Sequence, residues 1–345
     1  MKNIKNLIVV FGLIILTSNF ALSIGETSTA TSSGGNNKVG IAGSQFLKIP
    51  IGARGSGMSA FSSVVNDLSS IYWNPAGLAY QHGLAAEFSY LQWFAGYTHN
   101  FAAVSYGLGN DFTFAAHLIS LSSGDIQVTT TAYPEGLSTK YQNSDLAAGV
   151  SFSGFLTEQF SFGVTAKYIS NSIYNVSSTG FAFDIGTMYD TRFLGIKIGF
   201  SIHNLGSEAT YSGQSLRDVK KLYTAMDANP LEVEYISNSY SYPLIFRAGL
   251  SSTVWKVDKH SLSAAFDFTT YSDVPEQYGL GIEYTYGDIV SLRGGYTFGH
   301  DETGFSAGIG VKYDGPGFGG RFDYAITPTF NLGLVNRFTI ALSLQ

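Results

Sequence analysis

The feature that most constrains the fold is an alternation of apolar with small or polar residues, repeated in long runs after residue 83. At the C-terminus, for example, Phe338, Ile340 and Leu342 alternate with Thr339 and Ala341. A period of two residues is typical of a β-strand with one apolar face. Strands that cross a membrane need about nine to eleven residues, whereas strands of soluble proteins average about five or six. Because many runs approach this membrane-spanning length, the pattern favours a membrane barrel over a soluble β-sandwich.

The runs predict fourteen strands that close into an antiparallel barrel over residues 81–345. A weaker run at 126–133 is assigned to a loop, because bacterial barrels have an even strand number, short periplasmic turns and longer outer loops. The long loops 122–143 and 204–242 then both lie outside, and the barrel begins and ends at the periplasmic face. The predicted fold class is an all-β membrane protein, a 14-stranded outer-membrane β-barrel with an N-terminal plug. The predicted strands are 84–92, 97–107, 111–121, 144–155, 159–171, 179–190, 195–203, 243–254, 259–271, 276–286, 289–299, 303–313, 319–328 and 335–345.

Composition supports a lipid-facing wall and excludes several functional classes. Charged residues make up 13% of the chain, whereas soluble domains carry about 25%. The net charge is −6 and no basic stripe occurs, which argues against a nucleic-acid partner. The chain contains no cysteine, so disulfides and thiolate metal sites are excluded.

The sequence contains no motif that indicates catalysis. The histidines are scattered, no HExxH motif occurs, and no GxSxG nucleophile elbow is present. We therefore expect no enzyme activity, no catalytic residues, no metal and no cofactor. A hydrolytic Ser-His-Asn site assembled from separate strands is the alternative that these motifs leave open.

The N-terminus has the pattern of an export signal followed by a spacer. Residues 1–23 contain Lys2 and Lys5, then the apolar run 7–16, then small and polar residues, which predicts a secretory signal peptide. An N-terminal membrane anchor is the alternative, but a spanning helix needs about 20 apolar residues. Residues 24–41 are rich in Ser, Thr, Gly and Asn, and we expect a flexible mature N-terminus.

Residues 42–80 resemble neither the spacer nor the strands and are predicted to form a luminal plug, or hatch. The stretch is rich in small residues and repeats apolar side chains at near-helical spacing. It immediately precedes strand one, at the periplasmic end of a closed barrel, where the available space is the lumen. The apolar positions are Met58, Phe61, Val65, Leu68 and Ile71.

Two charges and one turn stand out within the plug. Charges inside a membrane barrel must be paired or solvated, so Arg54 is predicted to pair with Asp67 or with a carboxylate on the wall. The alternative is that both groups face lumen water. After Trp73, the turn signal Asn-Pro-Ala-Gly forms an elbow into strand one, because Pro75 donates no hydrogen bond and Gly77 permits a tight turn. Whether this elbow, Asn74, Pro75, Ala76 and Gly77, is a hinge or an anchor stays open.

The outer loop 204–242 contains one helical signal. Ser215 is a suitable N-cap, and Asn229-Pro230 would end a helix. We expect either a lid or partner-docking helix over the outer mouth, or a segment that merely packs on the barrel rim. The residues at helical spacing are Leu216, Val219, Leu222, Tyr223 and Met226.

Several short motifs resemble the PorV/PorQ family, which belongs to the wider group of long-chain fatty acid transporters typified by FadL. The resemblance implies a fourteen-stranded outer-membrane barrel of a Gram-negative bacterium with an N-terminal hatch. For PorV-like members it also implies a role in type IX protein secretion. The motifs are FLKIP at 46–50, GAR at 52–54, ND at 66–67, IYWNPAGL at 71–78 and RFTIAL at 337–342.

Two functions follow from this resemblance. The first is a component of type IX secretion that binds or shuttles secreted proteins, with secreted cargo or a secretion translocon as its partner besides outer-membrane lipid. The alternative is a FadL-like transporter that carries fatty acids or another hydrophobic ligand across the outer membrane. The lumen face is expected to be rich in Ser, Thr, Gly and Ala, which favours neither function.

Overall fold

Fourteen long antiparallel strands form a closed barrel in the computed structural model, which describes residues 40–109, 111–220 and 230–344. Each strand pairs with the next, and the last strand pairs with the first from Leu84↔Leu344 to Gln92↔Asn336, which closes the ring. The predicted fold class is confirmed. The strands are β1 (Leu84–Gln92), β2 (Thr98–Leu108), β3 (Phe112–Ser122), β4 (Asn143–Thr157), β5 (Phe160–Ile173), β6 (Val176–Asp190), β7 (Lys197–Gly206), β8 (Ile245–Val257), β9 (His260–Tyr271), β10 (Gln277–Tyr286), β11 (Val290–Phe298), β12 (Phe305–Gly315), β13 (Phe318–Pro328) and β14 (Leu334–Leu344).

Alternation along each strand separates the outer surface from the lumen. In β1 exposed and buried residues strictly alternate, so that Phe88 points outwards while Glu87 and Ser89 point into the lumen. In β14 Ile340 is exposed on the outside, and its neighbour Thr339 is buried. An apolar outer belt around a polar interior is the arrangement of transmembrane barrels. Within the described part of the chain, no helix is long and apolar enough to cross a membrane, a finding that concerns helices alone.

The connections differ in length on the two sides of the barrel. Tight turns join the strands at the periplasmic side, for example at Gly287 and Asp288, which both adopt positive φ angles of 63° and 57°. The long connections, 123–142 and 207–244, lie on the opposite side. The run at 126–133 contributes only the two-residue strand Ile126–Gln127, which pairs with Lys140–Tyr141 outside the barrel.

The helix predicted in the second long loop is wrong where the structure describes it. Leu216 ends a short 3-10 turn, and Val219 lies in the strand Arg217–Lys220, which pairs with Leu231–Glu234. Hairpin pairing satisfies the backbone of this exposed segment, and β-branched Val219 suits a strand. The other positions of the predicted lid, Leu222, Tyr223 and Met226, lie outside the described residues, as do the signal peptide 1–23 and residues 24–39 of the spacer 24–41.

Placing a charge on the outer belt tests the assignment of the two faces. Ile340 is half exposed and flanked by Phe88 of β1 and Phe322 of β13. We expect Ile340→Arg to destabilise the barrel by about 2–4 kcal/mol, because an arginine near the middle of the bilayer must be desolvated. Folding into lipid vesicles across a urea series measures this loss. Ser343→Arg, an inward position near the periplasmic end of the same strand, is the control and should fold better; equal losses would contradict the assignment.

Candidate functional site: the plugged lumen

Residues 45–80 fill the lumen with short helical segments. A 3-10 helix at Gln45–Lys48 is followed by α1 (Ala53–Met58), α2 (Ser70–Trp73) and a second 3-10 helix at Pro75–Tyr80. Their apolar side chains are almost fully buried, and they form half of the hydrophobic cluster of the protein. This places the predicted plug inside the barrel, with its own small core.

Trp73 lies at the centre of this core. Its indole Nε1 donates to the Ile51 carbonyl at 2.8 Å, and its ring packs edge-on against Phe61 and Tyr72. Gly55 is needed beside it, because a Cβ there would lie 2.6 Å from the indole nitrogen. The plug is therefore held in one conformation by packing around a single large aromatic residue.

Hydrogen bonds connect the elbow to both the plug and the wall. Asn74 caps the 3-10 helix that begins at Pro75, since its Oδ1 accepts from Ala76 N at 3.1 Å. Its Nδ2 donates to the carbonyls of Ser62 in the plug and Thr187 in the wall. Gly77 was expected to permit a tight turn, and the structure gives it a different role. It lies within the 3-10 helix, where a Cβ would approach Val65 to 2.3 Å, so its role is close packing.

Glycines in the wall form notches that receive the plug backbone. A Cβ at Gly281 or Gly295 would lie 2.3 or 2.2 Å from the Met58 carbonyl oxygen. On another part of the ring, Gly163 leaves room for the carbonyl of Pro75, at the same 2.3 Å. Because strands on separate parts of the barrel accept the plug in this way, it is wedged between them.

Arg54 joins a buried network of charges between plug and wall. Its guanidinium contacts Glu283 of β10 at 2.8 Å and Asp67 of the plug at 3.4 Å. Asp67 also pairs with Arg321 of β13 at 3.0 Å. Burial raises the pKa of Asp67, but Arg321 and Arg54 outweigh it and lower that pKa below its ordinary value. The remaining members are Arg293, Asp323 and Glu87.

A second polar cluster holds the carbonyl of Trp73. Ser201 Oγ and His203 Nε2 lie 3.1 and 3.3 Å from this oxygen, and 2.9 Å from one another. Asp184 lies 3.3 Å from His203 Nδ1 and 2.8 Å from the Lys167 ammonium. Ser201, His203 and Asp184 are connected as in a serine-hydrolase triad, but here the serine and the histidine both contact the plug carbonyl. The cluster therefore anchors the plug.

A cavity of about 130 Å³ lies between the plug and the outer mouth of the barrel. Its floor is formed by the plug residues Lys48, Tyr72 and Trp73. Its walls are lined by aromatic, hydroxyl and basic side chains, and no aspartate or glutamate lines it among the described residues. The aromatic and basic wall residues are Trp93, Tyr271, Arg247, His300 and Arg337.

The lumen face carries many charged groups in addition to the serine, threonine, glycine and alanine expected from the sequence. Many buried charges point inwards from the strands, including Lys167, Arg293 and Arg337. A signal for them exists in the sequence: a single charge inside an alternating membrane strand must face the lumen, because the lipid side would not tolerate it.

Comparison with known proteins supports the fold. No family model matches the sequence, and no curated protein matches it. Among solved structures, the toluene transporter TodX of Pseudomonas putida is similar with 13% identity and a TM-score of 0.55, over 85% of this chain and 96% of that one. The toluene transporter TbuX of Ralstonia pickettii is 13% identical with a TM-score of 0.53, over 85% of this chain and 97% of that one. The CymD monoaromatic hydrocarbon channel is 14% identical with a TM-score of 0.55, over 86% of this chain and 98% of that one.

These similarities show that the chain shares the barrel fold of the toluene transporters and of the hydrocarbon channel. They cover nearly the whole length of the matched chains, so the likeness includes the complete barrel. The narrower resemblance to PorV/PorQ has no counterpart among these structures.

Proposed function

We propose that this protein transports small hydrophobic molecules across the outer membrane. The observation that carries the proposal is the aromatic-lined cavity on the outer side of the plug, inside a barrel whose fold matches hydrocarbon channels. A concave, largely pre-formed cavity with aromatic walls is the usual form of a small-molecule site. The proteins of similar fold include toluene transporters and a monoaromatic hydrocarbon channel.

The secretion function has weaker support. It predicts that the outer loops contact a secreted protein or a translocon, and no observation on the described loops favours such contacts. PorV-like or PorQ-like activity therefore stays a prediction. We also propose that the protein binds and transports without catalysis, since the serine, histidine and aspartate that meet in the lumen hold the plug.

Filling the cavity tests the transport function. Thr269 lines the cavity, so Thr269→Trp places an indole in its volume. We expect this change to abolish the protein-dependent uptake of toluene into proteoliposomes that contain the purified barrel. Thr253→Trp adds the same side chain on the exposed outer face of β8 and should leave uptake unchanged. Uptake no faster than in protein-free vesicles for the parent protein would refute the proposal.

A further inference from the structure

We propose that the cavity above the plug binds single-ring aromatic carboxylates, with the carboxylate held by Arg337 and Arg247. The inference rests on the proposed transport function and specifies its substrate class. Neutral hydrocarbons, which the channels of similar fold carry, would leave both arginines without a counterion.

Arg337 is the clearest evidence for an anion-binding site. Its side chain lines the cavity, and the residue is 3% exposed. Among the described residues it has no hydrogen-bond acceptor and no carboxylate partner, and its Nε is buried without a partner. A buried charge that lacks a partner is costly, and each such group in a native protein calls for an explanation.

The arginines of the network around Arg54 show what a satisfied site looks like in this barrel. Arg54, Arg293 and Arg321 each contact carboxylates, at distances from 2.6 to 3.4 Å. The same lumen thus supplies counterions to each arginine of that network. No such counterion is supplied to Arg337, on the side that faces the cavity.

Arg247 provides a second positive charge beside the plug. Its Nη1 donates to the Tyr72 carbonyl at 2.9 Å, and its guanidinium lies 4.7 Å from the Tyr72 ring centroid. These contacts orient the side chain but do not neutralise it, and within the described residues no carboxylate comes within ion-pair distance. Lys48, on the floor of the cavity, is neutralised by Asp273 at 3.0 Å.

The shape of the cavity favours a flat ring on the anion. Tyr72 and Trp73 form the floor, while Trp93 and Tyr271 contribute to the walls. The volume of about 130 Å³ is close to that of an engineered apolar cavity of about 150 Å³ that binds benzene. An arginine fork suits a planar carboxylate, and aromatic faces suit a planar ring. Benzoate is the simplest molecule with both groups.

Fluorescence titration of the purified full barrel in detergent tests the assignment. The chain has three tryptophans, and Trp255→Phe leaves Trp73 and Trp93, which both line the cavity. We expect benzoate to change the emission saturably, and toluene or acetate to bind at least about 30-fold more weakly. Arg337→Met should weaken benzoate binding by at least about 30-fold, and Arg337→Lys should weaken it less.

A second measurement separates ligand binding from a structural role. Without ligand, Arg337→Met should keep or raise the thermal unfolding midpoint, because it removes an uncompensated buried charge. Arg192→Met, at an exposed arginine in a periplasmic turn, is the control and should change neither binding nor stability.

Each outcome decides the inference. Lower stability of Arg337→Met, or undiminished benzoate binding by it, would overturn the assignment of Arg337. Acetate binding as tight as benzoate would overturn the aromatic part, and toluene binding as tight as benzoate would overturn the anionic part. If toluene binds and benzoate does not, the inference fails while the transport function stands. If neither aromatic ligand binds, both fail.

Discussion

Arg54→Glu is expected to release the plug from the barrel wall. The change removes a buried cation that contacts Glu283 and Asp67, and it adds a third carboxylate between them. Breaking a buried ion pair by loss of one partner costs about 3–5 kcal/mol, because the remaining charge is left uncompensated. Planar-bilayer recordings should show frequent large openings in the variant, whereas the parent barrel should stay closed to ions.

A matched control separates this effect from a change in net charge. Arg192 pairs with Glu158 in exposed periplasmic turns, and Arg192→Glu alters the charge by the same amount. Exposed pairs contribute little to stability, so this control should keep the barrel closed. The exchanged pair Arg54→Glu with Glu283→Arg should restore part of the closure. Identical conductance in parent and Arg54→Glu barrels would show that the network does not hold the plug.

Gly295→Ala is expected to have the second large effect, although it adds one methyl group. Its Cβ would lie 2.2 Å from the Met58 carbonyl oxygen and 2.4 Å from the carbonyl carbon. These atoms are backbone, so the plug or the strand must shift, and overpacking of this kind costs about 1–3 kcal/mol. The thermal unfolding midpoint of the purified barrel should fall, and limited proteolysis should cut the plug faster.

The residue next to Gly295 in the sequence is the control. Gly294 lies on β11 as well, and the nearest atom to its added Cβ would be Ile282 Cγ1, at 3.9 Å. Gly294→Ala should therefore leave both measurements unchanged. If the two alanine variants behave alike, the notch is not a tight fit and the plug has room to move.

The barrel could be predicted from the sequence because a membrane-spanning strand must alternate lipid-facing apolar residues with lumen-facing residues. Alternation over the length of a bilayer located every strand, and the parity of bacterial barrels placed 126–133 in a loop. Boundaries shifted by a few residues, for example at β4, which runs from Asn143 to Thr157. Backbone hydrogen bonds between neighbouring strands extend the strands beyond the apolar belt, where apolar and polar residues no longer alternate.

The site was predictable only in part. Arg54 stood out because a lone charge in a small-residue stretch needs a partner, but which wall carboxylate pairs with it depends on barrel register. Glu283 is 229 positions away in the chain. The cavity depends on the same register, since it brings Arg247 and Arg337 from distant strands to one side of Trp73. The loop helix failed at 217–220, where the backbone pairs with Leu231–Glu234 as a strand.

The glycine notches have a consequence for the assembly of the barrel. They lie on β5 and on β10 and β11, so the plug must contact strands made early and late in the chain. Closure of β14 on β1 encloses the plug, and a wedged plug cannot easily enter a finished ring. We therefore expect plug docking to precede or accompany closure. Contacts so distant in sequence form slowly, which would make seating of the plug a candidate for the slow step of folding.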